Sequence, residues 1–472
     1  MFSKKRIRTE TLFIPGSLSD YIPDDHILKL VDKVLDLSWL DDEVKDCYSS
    51  CHGRPCIEPE KALRLMIAGF LHGVVHDRKL MRQAQVNIAY RWFAGYELGE
   101  ELPDHSSLTR IRQRWTEDRF RRIFERVVKQ CVDARLVGGD MTHCDASLIR
   151  ADVSWESLVS VYVEKVVAEN SDKDSPSDNK DDAPKPPAKG KMKKKSKTDP
   201  DASMATSNSK IRLQPTYKQH TATDNLNGIV VDVEVTTGEV NEGVELLNQL
   251  KRVRQTVGKQ PKVVTADKTY GSGGNYLSLE RLGVKAVIPP QKVPLGKGGM
   301  PLRRFSYDPK QDVVCCPEGK TLKKGSRCEH GWFYRARGKD CRSCPKRRGC
   351  FSATSKSRSV IIVDGYPALL RARREKMRGW DDDMVAAYKR HRHQVEGKHG
   401  ESKTQHGLGR AVRRGLWNVK IQSYLTATVM NLKVLAKAFL FLKLRRTFPV
   451  KRCIICFGLP LIRCHRFFLS AA

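Results

Sequence analysis

With 472 residues, 40% of them hydrophobic, the chain can form two or three domains with real cores, which excludes a wholly disordered protein. Its formal charge of +32 and pI near 9.7 come from Lys and Arg spread over several regions, so a polyanion, and nucleic acid above small acidic substrates, is the favoured partner. No signal peptide is read at the N-terminus, and the most apolar stretch, Ser423 to Leu442, is interrupted by Lys433 and Lys437; the expectation is a cytoplasmic protein with no membrane partner. Its 14 cysteines then read as reduced thiols, some of them metal ligands.

Residues 1–135 are predicted to form an all-α module. Leu63, Met66, Ile67, Phe70 and Leu71 repeat at helical spacing after Pro59. Pro103-Asp104-His105-Ser106 supplies a stop and a cap for a second helix, in which Leu108, Ile111 and Trp115 share one face and Arg110, Gln113 and Arg114 the other. Phe120, Ile123, Phe124, Val127, Val128 and Cys131 predict a further helix. The Arg110 face could enter a major groove, where Arg and Gln reach base edges, or touch only phosphates or solvent.

Beyond residue 136 strands alternate with helices. Candidate strands are Thr142 to Ile149, Tyr217 to Thr223, Ile229 to Thr236, Lys262 to Ala266 and Lys285 to Ile288. Residues 170–209 have almost nothing to bury, with six Lys between Lys189 and Lys197, and read as a disordered Lys-rich loop inserted into a domain. Asp145 lies in the first strand, and Asp267 ends the apolar run Lys262-Val-Val-Thr-Ala before a turn, where α/β sheets gather ligands.

The densest charge lies from Lys389 to Lys420, with nine Lys or Arg against two acids, Glu396 and Glu401. In a helix, Arg392, Glu396, His399 and Lys403 would line one face. A carboxylate facing a phosphate backbone needs a divalent metal between them, the arrangement that phosphodiester chemistry uses; the alternative is an ordinary solvated helix of i,i+4 ion pairs. Asp145, Asp267 and Glu396 could together hold two Mg²⁺ ions about 3.5–4 Å apart.

These residues carry a resemblance to the insertion-sequence DDE transposases. Asp145 stands in the opening strand, Asp267 precedes Tyr270-Gly271, Arg392, Glu396 and Lys403 fit the tail signature of Arg, three residues, Glu, six residues and Lys, and Pro103 to Ser106 precedes an Arg-rich helix. Tyr388 departs from the signature, standing one residue further from Arg392 than the usual two between. The resemblance implies an α/β fold: an RNase H-like mixed sheet flanked by helices over residues 136–445, behind an all-α DNA-binding domain (1–135) and interrupted by a small β-rich Cys-containing insertion (290–380). It further implies metal ligation by Asp145, Asp267 and Glu396, with Mn²⁺ able to replace Mg²⁺, and phosphate contacts from Arg392 and Lys403. DNA, as terminal inverted repeats and target, would be the partner of a homodimer or larger complex at the nucleoid. His220 and Asp224 would stand behind the acids. A catalytically inactive DNA-binding repressor or scaffold, and a metal-dependent nuclease that does not join strands, are the alternatives.

Between Asp267 and Glu396 lie 128 residues, more than one strand and a helix need. They contain Cys341-x-x-Cys344, for which Cys316 and Cys350 complete a four-thiolate structural Zn²⁺ site, with Cys328 or Cys315 as substitutes; ordinary free thiols are the alternative. The tail, residues 446–472, shows no amphipathic pattern and no cap.

Overall fold

Helices open the computed structural model, which describes residues 16–49, 56–162, 192–206, 212–292, 299–328 and 330–447. They are α1 (Ile27–Asp32), α2 (Leu40–Val44), α3 (Pro59–Leu71), α4 (Asp77–Val86), α5 (Ile88–Ala94) and α6 (His105–Asp133). Pro59 stands in the first turn of α3, where a missing N–H costs nothing, and Leu63, Met66, Ile67, Phe70 and Leu71 are all buried. In α6 the cap is Asp104, whose side chain accepts from Ser106 N at 2.8 Å. The two predicted helices run on from one another here, broken only at Thr116 (φ 61°, ψ 175°). That break lets Leu108, Ile111 and Trp115 and then Phe120, Ile123 and Phe124 face the core from one continuous element.

A mixed sheet follows, built from β1 (Met141–Arg150), then β2 (Leu158–Tyr162) and β3 (Met192–Ser196) as a separate hairpin, β4 (Ser203–Ala205), β5 (Gln214–Asp224), β6 (Val230–Thr237), α7 (Leu246–Val257), β7 (Val263–Ala266), α8 (Gly273–Arg281) and β8 (Lys285–Val287). β5 pairs antiparallel with β1, β6 and β4, while β7 runs parallel to β1 and β8 parallel to β7. The order β6-β5-β1-β7-β8 therefore puts the antiparallel strands to one side of β1 and the parallel ones to the other.

A second, antiparallel sheet of five strands comes next: β9 (Ser306–Asp308), β10 (Val313–Cys315), β11 (Thr321–Cys328), β12 (Gly331–Arg335) and, after α9 (Gly338–Arg342) and α10 (Arg347–Cys350), β13 (Ser359–Val363). It has its own small core around Phe305, Val314, Leu322, Tyr334 and Ile362. It docks through Gly273 and Gly365, where a Cβ on the first would lie 2.3 Å from Asp364 O and one on the second 2.0 Å from Gly273 O, so only glycine fits either position. The chain then returns through α11 (Tyr366–Arg378), α12 (Asp382–His391), a π-helical turn (Arg392–Glu396), α13 (Gly397–Thr404) and α14 (Leu416–Thr447).

Three expectations are corrected. The expected boundary at residue 135 is not a packing boundary: one hydrophobic core runs from Ile22 through α6 and the sheet to Ala436, because α14 packs on both α6 and β6. Asn431 of α14 clasps the backbone of β6, accepting from Val230 N at 2.9 Å and donating to Val230 O at 2.8 Å. Within the loop expected to be disordered, residues 192–206 are ordered; the lysine strand β3 pairs with β2, and β4 with β5. Residues 170–191 and 207–209 of that loop, and residues 448–472 of the tail, lie outside the described residues. Finally, Leu416–Phe441 is long and apolar enough to cross a membrane despite its lysines, and 61% of its apolar window is buried as the central helix of this core.

The helical region is also tied to the C-terminal one by charge. Asp77 in α4 receives the buried Arg112 of α6 and, at 2.6 Å, Arg413 from the loop before α14. Burial lowers the Arg112 guanidinium to about 10, and Arg413 adds to the shift. Removing the shared acid would strand a buried cation, so Asp77→Asn is expected to lower the unfolding free energy by about 3–5 kcal/mol, measured by urea denaturation.

Candidate active site

The parallel pairing of β1 with β7 runs through His143 opposite Thr265 and Cys144 opposite Ala266. Carried one residue on, this register sets Asp145 beside Asp267, on strands about 4.8 Å apart. Cys144 and Ala266 point into the core, so their neighbours Asp145 and Asp267 point to the opposite face. Asp267 caps the turn that follows β7, accepting from Thr269 N at 2.8 Å and from Thr269 Oγ1 at 3.0 Å. Burial pushes the Asp145 carboxyl up to about 7, and the negative charges of Asp267, Glu242 and Glu396 add to the shift.

Over this face lies the α12–α13 arm. His391 is buried against Thr265, with Thr265 Oγ1 3.1 Å from His391 Nδ1, and its ring stacks on Tyr388 at 6.0 Å; His393 is exposed. The continuous α-helix expected through Lys403 is interrupted by the π-helical turn Arg392–Glu396. A π turn holds one residue more than an α turn, and Tyr388 stands one residue further from Glu396 than the transposase signature has it. Eight residues of α-helix would leave Tyr388 and Glu396 about 80° out of phase, whereas seven would leave about 20°. The wider turn absorbs the excess. Tyr388 accordingly feels the charges of Asp267, Asp145 and Glu396 as well as that of Arg392, although burial is the main reason its hydroxyl is raised.

Glu396 itself faces solvent, 59% exposed, and pairs with Arg392 at 3.5 Å. His399 points the other way: it is buried, with Nε2 3.7 Å from Asp145 Oδ2, and that nitrogen has no hydrogen-bond partner. Burial, with help from Lys403 and His391, brings His399 down to about 3, so the imidazole is neutral. Lys403 lies within electrostatic reach of Asp145. The Tyr270 hydroxyl is buried and unpartnered as well, and burial followed by the charge of Asp145 raises it well above the usual phenol range. Asp145, Asp267, Glu396 and Lys403 are thus drawn to one region, and Arg392 joins them through Glu396. Among the described residues no three His, Cys, Asp or Glu side chains are already disposed around a point that could hold a metal.

Other expected residues stand apart. Arg110, Gln113 and Arg114 are exposed on α6; Arg110 donates to Ser106 Oγ at 3.0 Å and Arg114 lies 4.8 Å over the Tyr48 ring. His220 is paired with Ala146, on the opposite face of the sheet from Asp145, and its Nε2 lies 2.9 Å from Thr236 Oγ1. Asp224 accepts from Gly138, Gly139 and Leu226 backbone N–H groups and so organises the turn before β1. Beside the second sheet, Cys316 after β10 lies near Cys341, Cys344 and Cys350 of the α9–α10 segment. Burial pushes the Cys350 thiol up and the other three add to the shift, while Cys316 O receives Gly319 N at 2.9 Å in a tight turn. Glu242, His399 and Tyr270 were not marked by sequence spacing as partners of Asp145. The nearest signals were the helical phase of His399 with Glu396 and the position of Tyr270 behind Asp267.

Two family models match the chain: a transposase domain over residues 16–114 and a transposase DDE domain over residues 315–436. No curated protein matches. Among solved structures, the Mos1 transposase paired-end complex with left transposon end is 12% identical over 52% of this chain and 62% of that one, at a TM-score of 0.17. The Mos1 strand transfer complex is 12% identical over 74% and 79%, at 0.17, and the piggyBac transposase synaptic complex with hairpin DNA 11% identical over 92% and 85%, at 0.28.

The raised acid has a measurable consequence. The folded-state pKa of Asp145, about 7, lies above the value of about 4 in an unfolded chain, so its stabilising contribution is complete below about pH 4 and lost as pH rises through 7. Asp145→Asn should therefore raise the melting temperature of the metal-free protein at pH 8 and change it little at pH 4. Added Mg²⁺ should raise the melting temperature of the parent at pH 8 and not that of the variant. Thermal denaturation in EDTA and in Mg²⁺ checks both.

Proposed function

We propose that this chain, which matches a transposase domain and a transposase DDE domain, is a DDE transposase that binds the terminal inverted repeats of an insertion sequence, hydrolyses the strand ends and joins the 3′-hydroxyls to target DNA. The observation that carries the reading is the pairing of Asp145 and Asp267 on adjacent parallel strands beneath an arm bearing Glu396, Arg392 and Lys403. The strand order, with an antiparallel β5 and β6 on one side of β1 and parallel β7 and β8 on the other, supports an RNase H-like sheet.

In this reading Asp145, Asp267 and Glu396 hold two divalent ions, Mg²⁺ or Mn²⁺, which when bound supply an activated attacking oxygen and neutralise the leaving one. The donor set suits such ions, being hard carboxylate oxygens crowded enough to lift one pKa by burial and mutual repulsion. Glu396 has to leave Arg392 and turn inward, and a π turn is a natural pivot for that movement. Freed, Arg392 becomes available to a phosphate beside Lys403, and their positive charge opposes the charge that develops on phosphorus. Neutral His399 stands at the inner side of Asp145, 3.7 Å from its carboxylate. Arg110, Gln113 and Arg114, exposed on α6, are assigned to the DNA end, and the active complex is a homodimer or larger. Cys316, Cys341, Cys344 and Cys350 would hold a structural Zn²⁺, whose four thiolates leave no place for water and hence no part in the chemistry.

Cleavage of end-containing duplexes tests the reading. Asp145→Asn, Asp267→Asn and Glu396→Gln should each abolish cleavage and strand transfer while gel-shift affinity for end DNA stays near that of the parent; a fully active Glu396→Gln protein would remove that assignment. Arg110→Ala/Arg114→Ala should weaken end binding and flatten its salt dependence, by about 0.9 in slope for each phosphate that is no longer neutralised. Cleavage without joining in the parent would favour a nuclease.

Zinc is tested separately. Metal analysis of chain purified without chelator should find about one zinc per chain, and Cys344→Ser should open the second sheet to protease before it alters the Asp145 region. Protein without zinc, and a variant as protease-resistant as the parent, would make these cysteines ordinary thiols.

A further inference from the structure

Behind β6 the chain makes a 3₁₀ turn, Glu242–Val244, before entering α7, and this turn is pressed against the one that follows Asp267. Asn275 clamps the two together, its side-chain N–H groups donating to Gly243 O and Tyr270 O, both at 2.9 Å. The fit leaves no room for a side chain at Gly243: a Cβ there would lie 3.1 Å from Asn275 Nδ2, 3.2 Å from Thr269 O and 3.3 Å from Tyr270 Cα. As a result the Thr269 hydroxyl, which donates to Asp267 Oδ2 at 3.0 Å, is also within reach of the Glu242 carboxylate. Glu242 is half-buried and pairs with Lys218 at 3.6 Å; the Lys218 ammonium makes its shorter bond, 2.7 Å, to Val240 O.

We propose that Glu242 is a fourth carboxylate of the divalent-metal site formed around Asp145 and Asp267, an inference that rests on the reading of that site given above. Glu242 is brought to Asp267 by the Asn275 clamp, whereas Glu396 is exposed and paired with Arg392. Two further observations support a polar ligand in this region. The Tyr270 hydroxyl is fully buried without a partner, and His399 Nε2, 8% exposed as a residue, is unpartnered 3.7 Å from Asp145 Oδ2. Unsatisfied buried polar atoms around desolvated carboxylates are accounted for by a hydrated cation, whose waters can donate to the imidazole and accept from the phenol. In this arrangement Asp145, Asp267 and Glu242, which do not yet converge on one point, draw together on a cation before DNA arrives, and Glu396 completes the site when it swings in.

Mn²⁺ binding to the full-length chain without DNA, followed by electron paramagnetic resonance of the free ion, tests this. Glu242→Gln is expected to weaken Mn²⁺ binding by about 10- to 100-fold, and Glu396→Gln to change it less. Lys218→Met, which removes the partner and leaves the carboxylate, should not weaken it. If Glu242 matters only as the partner of Lys218, then Glu242→Gln and Lys218→Met will lower the melting temperature alike while Mn²⁺ affinity stays that of the parent, and the proposal falls. Should Glu242→Gln fail to fold, Glu242→Asp serves: the shortened carboxylate keeps the charge beside Lys218, and unchanged Mn²⁺ affinity in it overturns the assignment. Asp145→Asn and Asp267→Asn tell the fourth carboxylate apart from the site it joins. If both weaken Mn²⁺ binding and Glu242→Gln does not, only the fourth carboxylate falls; if neither does, the metal site itself is misread.

Discussion

Two carboxylates held side by side on neighbouring parallel strands are costly to keep, and much of this structure serves to keep them. Nothing in the β1–β7 register can be slipped by one residue without sending Asp145 into the core and Cys144 onto the site face. The register is locked from both sides: β5 pairs along nearly the whole of β1, and α14, clasped to β6 through Asn431, packs beneath. Crowding and burial together disfavour the charged form of Asp145. In the proposed site a bound cation would offset that penalty.

Charge is managed differently elsewhere in the chain. Asp232, buried on β6, is met by Arg121 from α6 at 3.2 Å and by Arg252 from α7 at 2.9 Å, and Asp77 is met by Arg112 and Arg413. These acids have their cations built in. Around Asp145 the nearest positive groups are Lys403 and, by way of Glu396, Arg392, and neither makes a direct ion pair with Asp145 or Asp267 among the described residues. Asp232 and Asp77 are satisfied by guanidinium groups and Asp224 by backbone N–H groups, whereas Asp145 has no guanidinium partner. The π turn belongs to the same arrangement of charge, because it sets Tyr388 in register with the acids and leaves Glu396 at a point where the helix can be re-phased.

Much of this was legible in the amino-acid order. Strand-like runs, several of them rich in Val and Ile, marked β1, β5, β6, β7 and β8, and the positions of Asp145 within the first run and Asp267 at the end of another pointed to adjacent acids. The rest was hidden for identifiable reasons. A 3.6-residue period assumes an α-helix, so the π turn at Arg392–Glu396 could not be seen, and the extra residue before Arg392 looked like a departure rather than its consequence. Glu242 sits in a turn, where no period applies, and meets Asp267 only through Asn275, which is 33 positions along the chain from it. The lysine strand β3 is held by backbone pairing with β2 and needs no apolar residues, so composition reads it as disordered. A single core shared by α6, β6 and α14 joins segments some 300 residues apart, a proximity that local hydrophobic pattern does not encode.

If Asp145 and Asp267 share a divalent ion, as proposed, locating that ion is the most direct test. A crystal of the full-length chain bound to end DNA, soaked in Mn²⁺ and recorded at the manganese edge, should show anomalous density between the two carboxylates, with Glu396 turned in from Arg392 to meet it. Density elsewhere on the chain with none between Asp145 and Asp267, in crystals where the DNA end is seated on the same face, would contradict the account.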